Sequence, residues 1–129
     1  MFSVAERLAL ARQAIVGLPS AEARSYSGLT VEFARQCGAQ VIVRGLRVIS
    51  DFELEFQMAL TNQQLAPEIE VVCLMTHQDH AFLSSSIVKE IALLGGDVHM
   101  MVPPHVATEL DARRQEQHQN SVPLVSLRD

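Results

Sequence analysis

Two arginines frame a short turn, Arg44-Gly45-Leu46-Arg47, directly after the β-branched run Val41-Ile42-Val43. A guanidinium is a planar fork of donors that grips phosphate through paired hydrogen bonds. Gly45 lets the backbone turn and approach a ligand closely. Two such forks three residues apart can reach two phosphates, or two sides of one. The same residues admit another reading, a surface turn whose arginines pair with the nearby carboxylates Asp51 and Glu55. The sequence leaves both open.

A second constellation is the loop His80-Ala81-Phe82-Leu83 running into Ser84-Ser85-Ser86. Free backbone N–H groups and the positive end of a helix dipole make such a start an anion site, to which three hydroxyls add donors. Lys89, one turn in, adds charge. One serine suffices for a cap, so the plainer reading is a helix start with spare hydroxyls. Both constellations fall at the carboxyl ends of strands if the sheet is parallel, where open α/β sheets bind ligands.

Other chemistry is not supported. His77 and His80 lack a third ligand at metal-binding spacing and read as loop residues. His99, His105 and His118 form no pattern. Nothing suggests a Ser-His-Asp or Cys-His nucleophile or a glycine-rich phosphate loop. Met58, Met75, Met100 and Met101 read as core filler.

The elements that must position these residues follow from pattern. Ser3-Val4-Ala5-Glu6 is a capping box, and apolar residues at helical spacing run on to Ile15, stopped by Gly17 and Pro19. Ala21 to Gly28 has weak β character. Thr30 is expected to cap a short helix ended by Gly38. Val41–Val43 and Ile69–Met75 read as strands buried on both faces. Ser50-Asp51-Phe52-Glu53 reads as a second capping box, opening a helix that stops before Pro67. The serines open a helix closed by Gly95-Gly96, and Pro103-Pro104 starts a last one. Alternation of helices with short strands predicts an α/β fold with a parallel sheet. About three strands is few, and such a sheet leaves an apolar edge unpaired. We expect one domain over 1–112 and a polar, loosely held tail over 113–129.

The formal net charge of −5 argues against general nucleic-acid binding. Lys89 is the only lysine, so a phosphate site leans on arginine. Cys37 and Cys73 lie in apolar stretches and are expected to be free, buried thiols. No apolar run nears the roughly 20 residues that span a bilayer, and the expectation is a soluble, cytoplasmic protein without a membrane partner.

Together these residues resemble bacterial phosphopantetheine adenylyltransferases. The resemblance is carried by Val41 to Arg47, Ser50 to Leu60, Asn62, Leu65 to Glu68, Phe82 to Ser86, Val88-Lys89-Glu90, Gly96-Asp97-Val98 and Val102-Pro103-Pro104, in the family's order and spacing. It runs from Phe2 to about Leu110. It implies a Rossmann-like nucleotidyltransferase fold and transfer of an adenylyl group from ATP to 4′-phosphopantetheine, giving dephospho-CoA and pyrophosphate in coenzyme A synthesis. Mg²⁺ as cofactor, a homohexamer and dephospho-CoA or CoA as product ligands are implied with it. By motif position, Arg44 is similar to the arginine on the phosphopantetheine phosphate, and Thr30 falls near the pantetheine arm, where the family has a larger apolar residue. Gly45, Leu46 and Arg47 match the turn on ATP, Glu55 a nucleotide-contacting glutamate, and His80, Ala81, Phe82, Leu83, Ser84, Ser85 and Ser86 the loop and helix start around the nucleotide.

Members of that family also carry a first strand, a glycine turn and a Thr/His-x-Gly-His motif whose last histidine stabilises the transition state. None of the five histidines here follows a glycine, so no catalytic residue is assigned. The second strand and a substrate-binding lysine are also unmatched. Because Met1-Phe2-Ser3 resembles an internal family segment, we expect Met1 to be a misassigned start of a longer product, and the sheet to lack its first strands. The alternative function is a non-catalytic remnant that binds phosphopantetheine, CoA or nucleotide, or only oligomerises.

Overall fold

A computed structural model describes residues 1–120, with the side chains of 118–120 left aside. The end of the expected tail, 121–129, and the His118 side chain lie outside the described residues. The order is α1 (Val4–Ala14), α2 (Thr30–Gln36), β1 (Val41–Leu46), α3 (Ile49–Leu65), β2 (Glu70–Met75), a 3₁₀ turn (Gln78–His80), α4 (Ser85–Leu93) and α5 (Pro104–Asn120). The expected α/β class with a parallel sheet is found. The chain divides into two compact units, Tyr26–Phe82 and the remainder.

The Tyr26–Phe82 unit holds the sheet. β1 and β2 pair in parallel, with Val43 opposite Val72, Arg44 opposite Cys73 and Gly45 opposite Leu74. Two strands form among the described residues, not three: 21–28 has no regular structure, its polar Glu22, Arg24, Ser25 and Ser27 offering little to bury. β1 also does not stop at Val43. It continues to Leu46, so Arg44 and Gly45 are strand residues. Side chains alternate across a strand, and α3 covers the Ile42, Arg44 and Val71 side. The other side is open, leaving Val43 60% and Leu74 58% exposed. The strands are therefore not buried on both faces; burial needs a second covering layer, and within this unit both α2 and α3 pack on the Ile42 side. Neither cysteine is in a disulfide, as expected, but both are exposed rather than buried: Cys37 is the C-cap residue of α2, and Cys73 lies on β2 opposite Arg44.

The core of this unit is small: Val31, Ala34, Ala66 and Ile69, with Ala39 and Ile42 against them. Arg35 ties α2 to the end of α3, donating to Glu68 Oε1 (2.5 Å) and the Leu65 carbonyl (3.0 Å). Two expected caps are displaced. Leu29, not Thr30, is the residue before α2; the Thr30 hydroxyl instead meets the Tyr26 hydroxyl at 2.8 Å. Val48, not Ser50, precedes α3, and no capping box forms there. Asp51 supplies the local acceptor, taking the Arg47 backbone N–H at 3.1 Å, so the helix begins a residue before Ser50.

The other unit shows the expected signals in place. Ser3 and Glu6 form a reciprocal capping box on α1. Gly95, at φ +83, closes α4 in a conformation that disfavours side chains, and the Gly96 N–H returns to the Ile91 carbonyl at 2.8 Å. α4 and α5 pack through Val88, Ala92, Val98, Ala107 and Leu110. His105 Nε2 lies 3.1 Å from the Leu10 carbonyl oxygen, and Arg113 pairs with Glu6 while lying over the Phe2 ring, joining α5 to α1. Of the methionines expected in the core, only Met101 packs against it; Met75 and Met100 are about nine-tenths exposed and Met58 nearly half. No described helix is long and apolar enough to cross a membrane.

Candidate functional site

Strand alternation puts Arg44 on the α3 side of the sheet, and α3 brings Glu55 to it. Arg44 donates from Nε to Glu55 Oε2 (2.8 Å) and from Nη2 to Oε1 (2.5 Å), a two-pronged pair. The Glu55 side chain is 14% exposed, that of Arg44 53%. The hydrogen bonds from Arg44 hold the Glu55 carboxyl below its usual range, and Glu55 in turn raises Arg44. Arg47 engages Asp51 through Nε at 3.0 Å, and its bonds hold the Asp51 carboxyl low. Both arginines therefore pair with the carboxylates that the surface-turn reading named.

That pairing does not exhaust Arg44. A guanidinium has five N–H donors, and Glu55 takes one edge of the fork. Nη1 has no acceptor among the described residues, and over half of the side chain is open to solvent.

Thr30, Arg44 and Glu55 line one pocket of about 80 Å³, together with Met58 and Asn62. The expected substrate residues Thr30 and Arg44 are thus brought together. The space is below the few hundred Å³ of a full ligand site and suits one small group. Met58 and Asn62 are site residues that the sequence reading missed, although the signal was present: 55, 58, 59 and 62 recur at the spacing of one helix face. Leu46 and Arg47 line a second pocket, of about 340 Å³, with Ile49, Phe52, Met75 and Thr76. Gly45 is unexplained from within. Its φ is not positive, and a Cβ there would meet nothing within 4 Å.

The loop and serine start divide between the units. His80 ends the 3₁₀ turn, followed by Ala81 and the exposed Phe82. Leu83, Ser84, Ser85 and Ser86 belong to the other unit. Ser84 is the N-cap of α4, accepting from the Ile87 N–H at 3.2 Å; Ser85 and Ser86 are exposed in its first turn. Ser84→Ala should therefore lower stability by about 1 kcal/mol, while Ser85→Ala and Ser86→Ala stay within about 0.5 kcal/mol. Urea melts of the three variants check this; equal losses would show that the cap is shared.

Residues 1–91 match the cytidylyltransferase-like family. A phosphopantetheine adenylyltransferase of Heliobacterium modesticaldum is 51% identical over 110 residues, which are 85% of this chain and 66% of the relative. One from Synechococcus elongatus is 56% identical over 110 residues, with the same coverage, 85% and 66%. One from Synechococcus sp. (strain JA-3-3Ab) is 51% identical over 113 residues, 88% of this chain and 71% of the relative. The chain spans about two thirds of the length of the curated relatives it matches.

Proposed function

The chain belongs to the cytidylyltransferase-like family, among the phosphopantetheine adenylyltransferases, and from that we propose that its arginine-bearing strand end serves adenylyl transfer from ATP to 4′-phosphopantetheine. The observation that carries the reading is the single pocket that holds Thr30, Arg44 and Glu55.

In this reading the open edge of Arg44 grips the phosphate of 4′-phosphopantetheine, with Thr30 beside it. Arg47 and the Gly45-Leu46 backbone take ATP; the absence of any internal reason for a glycine at 45 supports close backbone approach by a ligand. Glu55 and the segment His80 to Ser86 are the remaining nucleotide contacts. An oxygen of the acceptor phosphate attacks the α-phosphorus of ATP, the bond to the β-phosphate oxygen breaks, and dephospho-CoA and pyrophosphate result. Holding two phosphates in line and neutralising charge at the α-phosphorus carry the acceleration, with no protein nucleophile. Mg²⁺ brought in with ATP would supply charge neutralisation at the phosphates. Among the described residues no group of three potential ligands occurs, and Glu55 and Asp51 are engaged by arginines, so the protein itself would add few ligands to it. A cytoplasmic homohexamer, with dephospho-CoA or CoA as product ligands, goes with the reading; the open apolar side of the sheet gives an oligomer surface to bury.

A second reading, binding without turnover, rests on the sequence: none of the five histidines follows a glycine. Calorimetric titration of the chain with each substrate, and pyrophosphate release from the mixture, test both. Binding of 4′-phosphopantetheine and ATP with release supports transfer. Binding without release supports the second reading, and failure to bind either ligand overturns both.

A further inference from the structure

We propose that Glu55 is a positioning residue for Arg44, holding the Nε edge of the guanidinium so that the Nη1 edge faces the phosphate of the acceptor. The inference rests on the reading above, in which Arg44 takes that phosphate, and adds a role for Glu55 distinct from nucleotide contact.

The geometry makes two outcomes possible when a phosphate arrives. It can displace Glu55 from the fork, or bind the edge that Glu55 leaves open. Burial decides between them. The Glu55 side chain is only 14% exposed and is fixed on α3, whereas Arg44 is 53% exposed on β1. Displacing Glu55 would leave a mostly buried carboxylate without its cation, a costly state. Binding at the open edge leaves the pair intact. A long flexible arginine then arrives already ordered at one edge, so less side-chain entropy is lost on binding. Glu55 is thus a clamp rather than a plug. The pocket they share has room for a small group, and Thr30 and Asn62 furnish further polar atoms there.

The test is a double-mutant cycle on the full chain, read by calorimetry with 4′-phosphopantetheine and, separately, with ATP. Glu55→Gln keeps shape but removes the charge, and should weaken 4′-phosphopantetheine binding by about 10-fold. In an Arg44→Ala background the same change should have no further effect. Glu55→Asp keeps the charge on a shorter arm, and should restore part of the affinity that Gln loses. Tighter binding by Glu55→Gln would mean that Glu55 plugs the fork and would overturn the proposal. Loss confined to ATP, or additivity with Arg44→Ala, would overturn it too. An Arg44→Ala single variant that binds 4′-phosphopantetheine unchanged would instead sink the parent reading.

Discussion

Replacing Arg44 with Ala should lower the affinity for 4′-phosphopantetheine by about 100-fold, from the loss of two charge-assisted hydrogen bonds. ATP binding should change far less, because Arg47 and the 340 Å³ pocket around it do not include Arg44. Arg44→Lys should fall between: the charge stays, but a lysine cannot give one edge to Glu55 and another to a ligand. Arg44→Ala leaves the Glu55 carboxylate without its cation and should cost stability, but Arg44 is exposed and not a core residue, so the fold should survive each change. Matched titrations with both ligands decide it. Equal losses for the two ligands would assign Arg44 to no particular phosphate.

The second large effect concerns stability. Leu110→Ala should cost about 2–5 kcal/mol, the usual range for a buried leucine. Leu110 is 2% exposed and belongs to a cluster with only four other buried residues, so few neighbours can close the cavity. Against a total stability of about 5–15 kcal/mol, that is a large share, and the midpoint of a thermal melt should fall by on the order of 10 °C. Leu94→Ala is the control, since Leu94 is 82% exposed, and should stay within about 0.5 kcal/mol. Circular dichroism melts of the two variants measure the difference. If they melt alike, the α4–α5 packing is not what holds that unit.

What was legible in the sequence was mostly local. Ser3 with Glu6, the serine before α4, Gly95 and the Pro103-Pro104 start all act within one turn of backbone, and all mark element ends in the structure. Ser50 shows where local reasoning fails. Its box is sound by pattern, but Asp51 reaches back to the Arg47 backbone and the helix begins earlier. Burial was less legible, because it depends on what covers an element. Val43 and Leu74 look like core by composition and are open because only one side of the sheet is covered. In the site, the arginines and both carboxylates could be named in advance. Which carboxylate meets which arginine could not, since that needs the register of α3 on the strand. Met58 and Asn62 needed the same information.

The ladder has one more consequence. Cys73 stands opposite Arg44, which places the two side chains on the same side of the sheet, and the thiol is exposed. A small environment-sensitive dye attached there, with Cys37 replaced by Ser, would put an optical probe one strand away from the arginine. Emission during ligand titration would then follow events at Arg44 in real time, in a chain whose lack of tryptophan leaves a clear background.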